Sequence, residues 1–258
     1  MKRACLAAVM LLGACDAGRG EGTVRVAAWG EDFVEQGIPA DEFVDGWSVT
    51  FEDFVVSLDA IDMRGEALEG GFVVDLVEDS GGRGHTLGEL QVPAGGAPVV
   101  SYALAPASAN TATDVPDATL DAMVAQGSSV WVRGMAQRDG VTKSFDWSFD
   151  ADARYSACET TEVLRAGEAV DVTLTLHADH LFYDDLDSEE PGVAFDLIAD
   201  ADADADGSVS QDELRAQSIA GQVRYQVGTR DMDDLNSFIA AQVRTLGHIN
   251  GEGHCEID

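Results

Sequence analysis

The feature that most restricts the fold is the alternation of apolar and polar side chains between residues 129 and 149. Two period-two runs, 129–136 and 141–149, flank Asp139-Gly140. An Asp-Gly pair accepts the positive φ angles of a tight hairpin whose twist matches that of its strands. Phe145, Trp147 and Phe149 share one parity and polar residues hold the other, so one face of this hairpin must be buried. Residues 168–176 repeat the pattern: Val170, Val172, Leu174 and Leu176 oppose Asp171, Thr173 and Thr175. Shorter runs at 23–28, 48–61, 71–78 and 98–104 extend it. Within 48–61 the apolar parity switches from Val49 and Phe51 to Phe54, Val56 and Leu58, which predicts a β-bulge near Glu52-Asp53. Residues 117–126, entered through Pro116 with Leu120, Met123 and Val124 on one face, predict a short helix. About seven short strands without a βαβ rhythm give a mainly β fold, a sandwich-like domain over residues 23–187, with a barrel as the alternative.

The pattern changes after Leu181, and residues 188–258 read as a helical segment. Residues 191–201 and 210–220 are two candidate helices. Residues 231–246 are the strongest, with Leu235, Phe238, Ile239, Val243 and Leu246 in one stripe. Asp231, Asp233 and Asp234 at the start, Arg244 in the last turn and Gly247 as a C-cap would complete that helix.

Between the first two of these helices lies Asp202-Ala203-Asp204-Ala205-Asp206-Gly207-Ser208-Val209-Ser210-Gln211-Asp212-Glu213. This stretch resembles the calcium-binding EF-hand loop at every diagnostic position. Calcium takes six to eight oxygens. The resemblance assigns carboxylates to Asp202, Asp204 and Asp206, a backbone carbonyl to Ser208, a direct or water-mediated contact to Ser210 and a closing bidentate carboxylate to Glu213. Gly207 permits the sharp turn, and Val209 occupies the position that in this family makes a short β contact with a partner loop. A register starting at Asp200 fails, because it puts Ala205 where Gly is required and Gln211 where Glu is required. A second such loop is not found, so the hand would pack on the β domain or pair between molecules. Its calcium is expected to be structural, since the flanks lack a Met-rich target face.

At the other end, Met1-Lys2-Arg3 precedes an apolar run of about nine residues, too short to span a bilayer. It closes on Leu12-Gly13-Ala14-Cys15, which resembles the bacterial lipobox. The resemblance implies cleavage after residue 14, lipidation of Cys15, a flexible tether over 15–22 and membrane anchoring on the secreted side of the cell envelope, with inner or outer membrane open. Cys158 and Cys255 then remain as a pair in an oxidising compartment. A disulfide is the simplest inference, with metal ligands or free thiols as the alternative.

The chain has 258 residues and a formal net charge of −33, with 45% hydrophobic residues. That content supports a core, and the charge repels nucleic acid, which is excluded as a partner. Against this background five histidines stand out: His85, His177, His180, His248 and His254. His177-Ala178-Asp179-His180 leaves the end of a strand, and His248 and His254 flank the tail that Cys255 would pin. Imidazole suits zinc and copper, so His177 and His180, with His248 and His254, are candidate transition-metal ligands; surface histidines are the plain alternative. No nucleophile elbow, phosphate-binding glycine loop or Cys–base pair is present, and no enzyme activity is expected. Trp29 to Phe33 and Trp47 read as core aromatics rather than a ligand cleft. The favoured expectation is a calcium-stabilised interaction module with an unknown envelope partner. A copper- or zinc-binding lipoprotein is the alternative.

Overall fold

The computed structural model describes residues 20–108 and 111–258; the lipobox and Cys15 lie outside the described residues. In chain order the strands are β1 (Glu21–Trp29), β2 (Ser48–Met63), β3 (Glu66–Ala67), β4 (Phe72–Asp75), β5 (His85–Pro93), β6 (Val99–Leu104), β7 (Ala112–Thr113), β8 (Val130–Arg138), β9 (Val141–Phe149), β10 (Ala153–Glu159), β11 (Ala169–Leu176), β12 (Ser208–Val209), β13 (Gly247–Ile249) and β14 (Glu256–Ile257). The helices are α1 (Glu31–Glu35), α2 (Asp117–Gln126), α3 (Asp196–Asp200), α4 (Gln211–Ala216) and α5 (Leu235–Val243).

The chain is mainly β and sandwich-like. A four-stranded sheet in the order β13-β11-β1-β5 accompanies a ten-stranded one whose main path is β12-β9-β8-β2-β6-β10-β14. One apolar core draws Val24, Val26, Val172 and Leu174 from the first sheet and Phe54, Leu58, Val132, Trp147 and Tyr155 from the second. It continues without a break into Leu235, Phe238 and Ile239 of α5. Opposite parities of β2 serve two cores. Phe54, Val56 and Leu58 enter the main one, while Val55 packs with Val73 and Met123 under α2. The hairpin β8–β9 pairs Val130↔Phe149 through Arg138↔Val141, with Asp139 at φ +50° and Gly140 at φ +83° in its turn. The bulge expected near Glu52-Asp53 is present as a register shift between Phe51 and Asp53.

Several expectations change. Strand β1 starts at Glu21, inside the stretch read as a tether. It pairs in parallel with β11, bringing residues 146 positions apart side by side (Thr23↔Ala169). Strands β5 and β10 were not expected. β5 carries few apolar residues and a register shift against β1 at Val26/Ala27. β10 is broken by Ala157 at φ +52°, where its pairing with β6 shifts; such irregularities erase period-two alternation.

The C-terminal helices are shorter than their apolar patterns. Residues 191–195 are not helical, with Val193 bridging Phe43 and Tyr183, so only α3 remains of the first candidate helix. α4 stops at Ala216, and Ser218 bridges Asp234. α5 is capped by the Asp234 side chain, which accepts from Ser237 N. Asp231 and Asp233 lie outside it. Gly247 is not a C-cap: Arg244 takes that position, and Gly247 opens β13, buried beside β11. Segment 188–258 thus contributes three strands as well as helices, and β12 and β14 sit at the two ends of the ten-stranded path.

Candidate metal centre

The register between β11 and β13 builds the site. Thr175 lies opposite His248, and Leu176 opposite Gly247. The chain then leaves β11 at His177, whose backbone N–H donates to Leu246 O at 2.9 Å. It turns through a 3-10 helix, Ala178–Phe182, which carries His180. A three-residue spacing on a 3-10 turn puts side chains on one side, so His177 and His180 face the strand bearing His248.

Candidate ligand atoms of His177, His180 and His248 lie within 4.8 Å of one another. The rings of His177 and His248 stack at 4.1 Å, and His180 stands edge-on to both, at 5.5 and 5.2 Å. His254 lies at 5.7 Å from His248, beyond that trio. His177 and His180 are buried. The His180 Nδ1 is 2.8 Å from Thr245 Oγ1, whose hydroxyl donates in turn to Gln242 O at 2.8 Å. The hydroxyl therefore accepts from Nδ1–H, and Nε2 keeps its lone pair for the cluster, as in metal-ligating imidazoles whose other nitrogen donates to a fixed acceptor. Among the described residues His177 Nε2 and His248 Nδ1 are buried without a hydrogen-bond partner, a costly state for two imidazoles in one cluster. Burial, reinforced by the neighbouring rings, pushes both His180 and His248 down to about 3. At neutral pH both are uncharged, the form that binds metals.

Two carboxylates adjoin the trio. Glu31, His177 and Glu252 form a second group within 4.8 Å, with Glu31 Oε2 at 3.5 Å from His177 Nε2. Burial raises the Glu31 carboxyl above its ordinary range against the pull of His177. The centre lines a cavity of about 310 Å³ whose walls include Asp179, Asp185, Glu189 and Glu252. The acidic lining favours cations over anions. Tyr183 donates to Asp179 Oδ2 at 2.7 Å across its floor.

The acidic loop forms a separate cluster. Carboxylate oxygens of Asp202, Asp204 and Asp206 fall within 4.8 Å. Asp202 accepts from Asp206 N and Gly207 N, at 3.1 and 3.0 Å. Ser208 N donates to Asp206 Oδ1, at 2.7 Å. Glu213 forms a capping box with Ser210 and also accepts from Ala203 N at 3.0 Å. Ser208 and Val209 pair with Ser144 and Phe145 of β9, not with a second loop, and the Trp147 indole donates to Val209 O at 2.8 Å. Lys143 of β9 pairs with Asp202 and, by its hydrogen bond, holds that carboxyl below its ordinary range. Hydrogen bonds from Ser210 lower Glu213 likewise. The sulfurs of Cys158 and Cys255 are at bonding distance, 2.02 Å, which ties the tail after His254 to β10.

Both clusters could hold a metal ion. Sequence reasoning named the histidine pair and the tail histidines but missed Glu31 and Glu252, which carry no motif. His85 does not join: it faces Asp114 at 3.6 Å, and the Asp114 hydrogen bond raises its pKa. No helix of the described residues is long and apolar enough to cross a membrane. Compared with protein-family models, curated proteins and solved structures, the chain matches none.

Proposed function

We propose that this protein is a lipid-anchored envelope protein that binds zinc or copper at His177, His180 and His248, with calcium in the loop 202–213 serving as a structural brace. The observation that carries the reading is the convergence of three imidazoles, two of them buried, from a strand end, a 3-10 turn and a neighbouring strand. Imidazole suits zinc and copper, and three protein nitrogens match sites that keep a further coordination position. The acidic walls of the cavity support cation capture and speak against an anionic substrate. His254 stands at the mouth as an entry ligand rather than a member of the trio.

Calcium has its own support in the folded loop, with three carboxylates already gathered and Glu213 held by Ser210. The brace reading follows from continuity. The exit helix α4 packs on α5, and α5 packs on the 3-10 turn bearing His180. The test is isothermal titration of metal-free protein with zinc and with copper, repeated on His180→Ala and His248→Ala. One transition-metal site lost in both variants is expected. Undiminished binding in both would refute the reading.

A further inference from the structure

We propose that Glu31 is the fourth protein ligand of the three-histidine centre, making it a three-histidine, one-carboxylate site that selects a divalent ion over monovalent copper. This rests on the metal reading above and specifies which ion the same site takes.

The geometry begins with the separation of the donor atoms. Around an ion bound at roughly 2.0 to 2.1 Å in a tetrahedron, two donors lie about 3.3 Å apart. Glu31 Oε2 and His177 Nε2 are 3.5 Å apart. That nitrogen is buried and has no hydrogen-bond partner among the described residues. The two atoms therefore sit at an edge length suited to co-ligation as well as to an ion pair. Glu31 groups with His177 and Glu252 rather than with His180 or His248, so ligation of one ion requires its side chain to swing toward the trio across that shared edge.

Backbone placement adds a second observation. Glu31 has φ +58°, a region that glycine visits freely and glutamate rarely. It follows β1 after a single residue, Gly30, at the end of a strand in the sheet that also contains β11 and β13, and its helix contacts the 3-10 turn bearing His180. The tail turn closes over the carboxylate: a Cβ added at Gly251 would stand 3.6 Å from Glu31 Oε1. Glu31 is thus held between the sheet end and the tail, beside His177. Glu252, the other carboxylate of the group, is exposed and less fixed.

The choice of ion follows from ligand chemistry. A carboxylate is a hard, anionic donor that offsets part of a divalent charge. Monovalent copper favours thiolate and thioether sulfur. Among the described residues no cysteine joins either group containing His177, and Cys255, next to His254, is bonded to Cys158.

The test compares wild type, Glu31→Gln, Glu252→Gln and His180→Ala, each titrated with Zn²⁺, with Cu²⁺ and, anaerobically, with Cu⁺ against competing chelators. The visible spectrum of the Co²⁺ form reports coordination, and the thermal midpoint of each metal-free variant reports folding. Glu31→Gln should weaken Zn²⁺ and Cu²⁺ by about 10- to 100-fold, change the Co²⁺ spectrum and leave Cu⁺ binding and the midpoint nearly unchanged. Glu252→Gln should do little. If Glu31→Gln binds Zn²⁺ like wild type while His180→Ala does not, Glu31 is no ligand and the histidine centre stands. Equal weakening of both copper oxidation states, or a lowered midpoint that accounts for the loss, would also overturn the ligand role. If His180→Ala binds as wild type does, or wild type binds nothing, the histidine reading falls and this one with it.

Discussion

Replacing Gly247 by Ala should disable the metal centre without touching a ligand. Gly247 precedes His248 and lies against the stacked rings of Tyr102 and Tyr155, whose centroids are 4.7 Å apart. A Cβ on Gly247 would stand 2.6 Å from the Tyr102 hydroxyl oxygen and 2.6 Å from Tyr155 Cε1. Non-bonded carbon contacts settle at roughly 3.5 to 4.0 Å, so about 1 Å of movement is required. The rings cannot supply it cheaply. Both are fully buried, and their hydroxyls donate to His248 O at 2.8 Å and Arg244 O at 3.1 Å. Strand β13 must therefore move and carry His248 with it. Overpacking of this kind costs about 1–3 kcal/mol, and metal ligands tolerate only about 0.2 Å of misplacement. Urea unfolding of the metal-free variant should show that loss of stability. Zinc titration should show an affinity reduced by at least about 10-fold, as when a supporting shell is disturbed. Tyr102→Phe, which removes one hydrogen bond without adding volume, should cost only about 1 kcal/mol. A Gly247→Ala protein with wild-type stability and zinc affinity would refute the argument that the tyrosine pair fixes the position of His248.

Other outcomes follow from the same geometry. Replacing Cys158 and Cys255 by Ser opens a loop of 97 residues and should lower stability by up to about 4–5 kcal/mol in denaturant titration; an unchanged midpoint would mean that the tail is held without the bond. Metal-free protein should lose stability in acid. The folded values of His180 and His248, about 3, lie below the free value of about 6.5, so the unfolded chain binds the protons first. That stability is full above pH 6.5 and is lost as pH falls toward 3. For His180 the loss amounts to about 2 kcal/mol by pH 5, and for the more open His248 it is less; a His180→Asn variant with an equally steep pH profile would contradict this. In the acidic loop, Glu213→Gln should abolish calcium binding, whereas Lys143→Met, by removing the cation on Asp202, should tighten it several-fold by calorimetry. Weaker calcium binding in Lys143→Met would show that the lysine organises the loop rather than competing for it.

Much of the fold was legible because its strongest signals are local. The β8–β9 hairpin is encoded by Asp139-Gly140 and the Phe145-Trp147-Phe149 parity, and the bulge in β2 by a parity switch within one strand. The misses share a different cause. β1 and β11 pair in parallel across most of the chain, and no short window contains that register. Gly247 follows a helical stripe and so resembles a C-cap, yet pairing with Leu176 and packing against two tyrosines claim it for a strand. The candidate centre divides in the same way. His177 and His180 are near each other in sequence and were visible as a pair. Glu31 comes from the other end of the chain, and only the juxtaposition of the β1 end with the β11 exit reveals it.

The positions of β12 and β14 have a consequence for solubility. The exposed margin of a sheet is a template on which another chain can add a strand, and proteins guard it with short covering segments. Here both ends of the main path of the ten-stranded sheet are covered by two-residue strands from the C-terminal segment. β12, part of the acidic loop, covers β9, and β14, next to Cys255, covers β10. On the proposed calcium reading, calcium removal and disulfide reduction would thus each loosen a different guard. Treating the protein with chelator and reductant together should promote aggregation more strongly than the sum of the two alone, because a sheet open on both sides can propagate while one open on a single side only pairs.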